Sequence, residues 1–162
     1  MGAGKTTISI LLQEKMKEKT ALISLDKLKR MVSQYKLDSK IHLDLAHEAG
    51  ALMSNFYLKK GIDIIVEKAF TKSEFLESFL KLIKGKPKIF IYQMEAPFEV
   101  RLKRIKEREA KKEKGIPKNK LGEKVERNTF HYNESKYEKA KTFDTSKLSV
   151  GKIVNTILKE IE

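Results

Sequence analysis

The chain has 162 residues, 40% hydrophobic and 35% charged, with a formal net charge of +13 and no cysteine. That length holds one domain with a real core, and the balance of apolar to charged residues excludes a disordered chain. Disulfides and thiolate metal sites are excluded, and no apolar run approaches the ~20 residues of a membrane span.

At the N-terminus Lys5-Thr6-Thr7 interrupts any signal-peptide core, so a cytoplasmic location is expected. Only Arg30, Arg101, Arg104, Arg108 and Arg127 are arginines; the other basic residues are lysines. Such a surface reads either as a lysine-rich composition of the kind common in thermophiles or as the mark of a polyanionic partner, nucleotide phosphates or nucleic acid.

In chain order, helical and strand patterns alternate, which argues for an α/β domain with a parallel sheet. Behind the opening Met1-Gly2-Ala3-Gly4-Lys5-Thr6-Thr7, residues Ile8, Leu11, Leu12 and Met16 recur at helical spacing. A short apolar run ending at Asp26 reads as a strand. A helix is expected over 41–60, with Leu45, Ala49, Leu52, Met53, Phe56 and Tyr57 on one face and Gly61 as its stop. Residues 62–67 form the second expected strand, ending at Glu67, and Thr71-Lys72-Ser73 caps the helix carrying Phe75, Leu76, Phe79, Leu80 and Ile83. The third strand is expected over 88–94, broken by Glu95-Ala96-Pro97, and a charged helix over 97–113. Residues 111–124 lack apolar periodicity and read as a basic loop. A polar helix is expected over 122–139 and a last short strand at 141–146. The final helix is the clearest, with Val150, Ile153, Val154, Ile157, Leu158 and Ile161 on one stripe.

The opening residues match the end of the phosphate-binding pattern G-x-x-x-x-G-K-[ST]. Gly4-Lys5-Thr6 supply its last three positions and Met1, Gly2 and Ala3 the three before. Glycines let backbone N–H groups turn inward around phosphate oxygens, and the helix that follows adds its N-terminal N–H groups, here from Thr6 and Thr7 onward. Lys5 then reaches the β- and γ-phosphates as a mobile charge, and the Thr6 hydroxyl coordinates Mg²⁺.

Side chains at the carboxyl ends of parallel strands converge on the edge where ligands bind. Asp26 and Glu67 occupy such ends. Asp26 is placed to accept a proton from a substrate hydroxyl, Lys29 or Arg30 to hold the substrate, and Glu67 to position substrate or a metal-bound water. Each acid also reads as a simple cap or turn residue. On the helix after the third strand, Arg101, Arg104 and Arg108 share a stripe beside Phe98, Leu102 and Ile105. Arginines there can stabilise charge on a transferred phosphoryl group, or line a solvated face balanced by Glu99, Glu107 and Glu109. The basic segment after them can cover the site or serve as a linker, with Arg127 reaching back from its far side. His42, His47 and His131 show no metal-ligand spacing and receive no role.

These stretches together resemble the small P-loop kinases of the AAA-domain group, in its polynucleotide-kinase-like, zeta-toxin-like and gluconate-kinase-like branches. The resemblance rests on MGAGKTT, LISLDKLKR, GIDIIVE, IFIYQMEAPFEVRLKRIKER and TFDTSKLSVGKIVNTIL, and spans nearly the whole chain. It implies a P-loop NTPase three-layer α/β sandwich with parallel strand order 2-3-1-4-5, in one domain over 1–162 with a basic lid at about 109–124. It also implies ATP and Mg²⁺, Asp26 as general base, and Arg104 and Arg108 as lid arginines on the phosphates. Where the family has an arginine three residues after that Asp, this chain has Lys29, with Arg30 next; its acid after the following strand, commonly Asp, is Glu67. The family's first, central strand has no counterpart in the chain, so an apolar upstream segment ending in Gly-x is expected.

The sequence lacks the Asn-Lys-x-Asp base-reading motif of GTPases and the Leu-Ser-Gly-Gly-Gln signature of transporter ATPases. The leading expectation is therefore an ATP-dependent phosphotransferase acting on a hydroxyl of a small molecule, nucleoside, nucleotide or nucleic-acid end, working as a monomer or homodimer without a membrane. The alternatives are an ATP-binding regulatory module without transfer chemistry, and a basic nucleic-acid-binding protein.

Overall fold

Each run read as a strand forms one, and among the described residues each pairs in parallel with one neighbour. The structure, a computed structural model, describes residues 1–32, 40–70, 72–111, 120, 122–123, 125–126, 137 and 139–162, the side chains of residues 40–42 excepted. Its chain divides into two compact units. One comprises Ser9–Lys68 and Glu74–Ile89; the other comprises Met1–Ile8, Ala69–Ser73 and Phe90–Glu162. They are called here the acid unit and the loop unit. The boundary falls inside the first helix, α1 (Lys5–Lys15).

In the acid unit β1 (Thr20–Ser24) pairs with β2 (Asp63–Glu67) from Thr20↔Asp63 to Ser24↔Glu67. The short helix α2 (Leu25–Lys29) leaves β1 directly. The strand expected to reach Asp26 therefore ends at Ser24, and Asp26 sits in the first turn of α2. A carboxylate is favoured there by the unpaired N–H groups of a helix start.

Helix α3 (Lys40–Lys59) stops as its sequence dictates: Gly61 has φ +70°, Ile62 N–H donates to Tyr57 O and Gly61 N–H to Leu58 O. This double bond pattern closes the orphan carbonyls of a helix end, and glycine suits its left-handed residue. The buried face of α3, however, is not the large-residue stripe. Ala46, His47, Gly50, Ala51 and Ser54 are buried, while Leu52 is 71% and Phe56 60% exposed. Small residues let the helix axis come close to its neighbours. A Cβ on Gly50 would overlap Leu25 Cδ2, and the buried Ser54 hydroxyl is satisfied by Gly50 O at 2.7 Å. Helix α4 (Ser73–Lys81) buries Leu76 and Phe79. Its exit is clasped by Asn55, which donates to Leu82 O at 2.9 Å and accepts from Lys84 N–H at 2.8 Å. Thr71, named in the expected cap, lies outside the described residues.

In the loop unit β3 (Tyr92–Glu95) pairs in parallel with β4 (Lys141–Asp144), from Tyr92↔Lys141 to Glu95↔Asp144. The strand expected from residue 88 thus starts at Tyr92 and runs one residue further, to Glu95. Ladder pairing defines a strand, and β4 offers only four residues to pair with. Helix α5 (Phe98–Ala110) follows Pro97, whose fixed φ suits a helix start. The last helix, α6 (Val150–Ile161), buries Ile153, Val154 and Ile157, the expected stripe. Its N-cap Ser149 accepts from Lys152 N–H at 3.3 Å. Lys120, Gly122, Glu123, Val125 and Glu126 are helical, so part of the expected basic loop is helix. Val125 is fully buried against Ile105, with Met1, Phe98 and Leu102 packed around them. Residues 112–119 of the expected lid and Arg127 lie outside the described residues, as do residues 127–136 of the polar helix expected there.

Among the described residues the strands form two separate two-stranded parallel sheets, β1–β2 and β3–β4. Among the described residues, no helix is long and apolar enough to cross a membrane.

Candidate active site

The loop unit presents the residues read as a phosphate loop. Gly2 and Gly4 have φ of +75° and +81°, conformations an L side chain disfavours. Lys5 opens α1, and the first helical bond behind it runs from Ile8 N–H to Gly4 O at 3.0 Å. The N–H groups of Lys5, Thr6 and Thr7 lie ahead of that bond, in the first turn of the helix, where the backbone dipole favours an anion. Ala3 is buried, Lys5 half-buried, and Thr6 and Thr7 are exposed at the helix start.

Helix α5 holds this loop from one side. A Cβ on Gly2 would stand 2.7 Å from Arg101 O and 3.0 Å from Arg101 Cα, so only glycine fits against that backbone. One turn along, Arg104 donates from Nη1 to Thr145 Oγ1 at 2.9 Å and to Gly2 O at 3.3 Å, and from Nη2 to Thr145 O at 2.7 Å. Thr145 follows β4 and is tied to the end of β3: its N–H and its hydroxyl donate to Glu95 O at 2.9 and 3.1 Å. Next to it, the hydroxyl and backbone N–H of Ser146 hold the Asp144 carboxyl below the usual carboxylate range. Arg108, further along α5, donates from Nε and Nη2 to Glu109 Oε1 at 3.1 and 3.0 Å, and half of its side chain is exposed. Arg101 is buried.

The acid unit presents the carboxyl ends of β1 and β2. Ser24 Oγ donates to Glu67 Oε2 at 3.0 Å, across the last register pair of the sheet. Lys68, the residue after β2, donates from Nζ to Asp26 Oδ1 at 2.7 Å. The lysine side chain is only 8% exposed and the aspartate 47%, so the cation sits inside and the carboxylate stands at the surface. Lys29 is buried and Arg30 exposed. Behind this cluster His47 is buried, edge-on to Phe75 and Phe79 at 6.4 and 6.0 Å. Burial lowers its pKa, the charges of Lys68 and Lys29 lower it further, and Asp44 opposes them. The imidazole is therefore held toward its neutral form.

Of the residues singled out from the sequence, Gly2 comes together with Arg101 and Arg104, whereas Glu67 meets Ser24, Asp26 meets Lys68, and Lys29 is buried on α2. Lys68 and Thr145 escaped the sequence reading. A signal existed for Lys68, which directly follows Glu67 at a strand end; none existed for Thr145, whose hydrogen bonds are all to distant residues. The oxygen chemistry fits ATP and Mg²⁺. Among the described residues no three His, Cys, Asp or Glu side chains form a metal cluster. A Mg²⁺ held mainly by phosphate oxygens, water and the Thr6 hydroxyl needs no such cage.

The profile of the Zeta toxin family matches residues 1–150. Among curated proteins, none matches the chain by sequence. Solved structures that share its fold include the following three. A chain of the Pnkp1/Rnl/Hen1 RNA repair complex is 17% identical with a TM-score of 0.64, the match covering 84% of this chain and 43% of that one. The tunicamycin resistance protein of Deinococcus radiodurans is 18% identical with a TM-score of 0.64, covering 99% of this chain and 90% of that one. A candidate kinase from Chloroflexus aurantiacus is 17% identical with a TM-score of 0.62, covering 98% and 90%. The chain thus spans less than half of the RNA repair chain it matches.

Proposed function

The chain belongs to the Zeta toxin family and has the α/β fold of P-loop kinases, and on that premise we propose that it is an ATP-dependent phosphotransferase with a hydroxyl acceptor. The observation that carries the reading is the phosphate loop: two left-handed glycines, a Lys at the first position of α1 and a Thr directly after it. In the proposed reaction, Lys5 and the N–H groups at the start of α1 hold the β- and γ-phosphates of ATP. The Thr6 hydroxyl would hold Mg²⁺, which when bound would supply neutralisation of the phosphate charge. The acceptor oxygen forms a bond to the γ-phosphorus. The bond from that phosphorus to the bridging oxygen breaks, and its electron pair leaves with ADP. The hydroxyl proton passes to the Asp26 carboxylate, whose rotamer Lys68 fixes. Lys29, Arg30 and Glu67 orient the acceptor, and Arg108 supplies positive charge along the edge of α5. A single catalytic domain with a basic lid in 109–124 completes the reading.

Incubation of the chain with Mg-ATP and a panel of acceptors tests this. The panel includes nucleosides, nucleotides, sugars, tunicamycin and 5′-hydroxyl RNA ends, the last two suggested by the names of the fold neighbours. Acceptor-dependent ADP release is expected, falling on the order of 10²–10³-fold in Lys5→Ala, the loss typical of removing one donor to developing charge. ATP binding without turnover on any acceptor, unchanged in Asp26→Asn, would instead identify a regulatory nucleotide-binding module.

A further inference from the structure

We infer that Arg104 is a positioning residue that sets the shape of the phosphate loop, in place of the direct phosphate contact expected for a lid arginine. This rests on the loop's being a nucleotide site, as proposed above.

Three observations converge. The guanidinium uses Nη1 and Nη2 on Gly2 O, Thr145 Oγ1 and Thr145 O, three oxygens of the protein itself. A planar fork with fixed donor directions can hold two segments in register, which a lysine cannot do. Second, Gly2 lies against the Arg101 backbone so tightly that any Cβ would overlap it. The loop is thus pressed onto α5 at the turn preceding the arginine that grips it. Third, the other end of the network is anchored: Thr145 is buried and bound through N–H and hydroxyl to Glu95 O, at the joined ends of β3 and β4. Arg104 therefore links the loop backbone to a hydrogen-bonded sheet end, and the loop's N–H groups are aimed before a ligand arrives. Pre-aimed dipoles cost no reorganisation on binding.

The test uses the whole chain with Arg104→Lys, Thr145→Val and the double variant. Lys141→Met, which removes a surface ion pair to Glu160 in the same unit, serves as control for general destabilisation. Mg-ATP affinity is measured by calorimetry, and amide hydrogen exchange is followed over residues 2–6 and 153–157. Arg104→Lys is expected to weaken Mg-ATP about 10-fold or more and Thr145→Val several-fold. The double variant should be little worse than Arg104→Lys alone, because the two residues share the bonds lost. Exchange should quicken over residues 2–6 and stay at the wild-type rate in α6. The inference is overturned if Arg104→Lys keeps wild-type exchange at the loop and full affinity while turnover alone falls, since Arg104 then acts on the phosphates. Should the wild-type chain fail to bind Mg-ATP, the nucleotide reading fails, and loop exchange still decides for or against the brace.

Discussion

The two units each place a buried or half-buried cation at the end of a parallel strand pair, and they use it differently. In the loop unit Arg104 grips carbonyl and hydroxyl oxygens, so what it holds is a backbone path. In the acid unit Lys68 grips one carboxylate oxygen, so what it holds is a side chain and its charge. A planar fork suits the first task and a compact ammonium the second. The difference teaches where damage should appear. Loss of the fork loosens a binding loop. Loss of the carboxylate strands a charge away from water, which is a stability problem before it is a catalytic one.

The largest effect should follow from breaking the charged pair. Asp26→Asn leaves the Lys68 ammonium inside without the carboxylate it is bound to, at a cost of about 2–3 kcal/mol, below the figure for a fully buried pair because Asp26 is half-exposed. Lys68→Met removes the cation together with its desolvation cost and should lose clearly less stability. Its transfer rate should nonetheless fall on the order of 10–10²-fold, since Asp26 is no longer held in place. Chemical denaturation and turnover of the two variants give the comparison; equal destabilisation by both would refute the view that the lysine is the member stranded.

Two glycines sharpen the contrast at a smaller scale. Gly50→Ala drives a methyl into Leu25 and should cost about 1–3 kcal/mol of stability as over-packing. Gly2→Ala meets both a φ of +75° and the Arg101 backbone, at about 1–3 kcal/mol of local strain. The first should lower the melting temperature with ATP affinity little changed; the second should reduce Mg-ATP binding with a smaller change in melting.

The smallest effect is a pH dependence confined to the acid unit. His47 has a folded-state pKa below the ordinary 6.5, so on acidification the unfolded chain takes up its proton first. The stability contributed by neutral His47 is full above 6.5 and is lost progressively as the pH falls below that value toward the lowered pKa. Melting curves between pH 7.5 and 5.5 should fall more steeply for the wild type than for His47→Gln.

Much of this was legible in the chain. The stripe of Ile153, Val154 and Ile157 on α6 is buried as its spacing requires, and α3 stops before Gly61 as expected, with that glycine in the left-handed region. The sequence singled out Gly4-Lys5-Thr6 and Asp26 on local signals, a residue triplet in one case and an expected strand end in the other; β1 in fact stops at Ser24, and Asp26 opens α2. The packing face of α3 was misread for a physical reason. Periodicity weighs large apolar side chains, whereas α3 buries Ala46, Gly50, Ala51 and Ser54, where small size makes room for the Leu25 side chain of α2. The start of β3 was misplaced because a strand's length depends on the partner it meets 49 positions away, in the pairing Tyr92↔Lys141.

By itself the amino-acid sequence determined the alternation of helices and parallel strands, the stop of α3 at Gly61, the buried stripe of α6 and Glu67 at the end of β2. Each of these depends on steric or hydrophobic preferences acting over a few neighbouring residues. Only the tertiary structure decided which partner each charge meets. That Arg104 turns to Gly2 and Thr145, 102 and 41 positions away, and that Lys68 crosses 42 positions to Asp26, are outcomes of chain packing. Hydrogen-bond geometry selects among side chains only after the backbone has brought them within reach, and no local pattern carries that information.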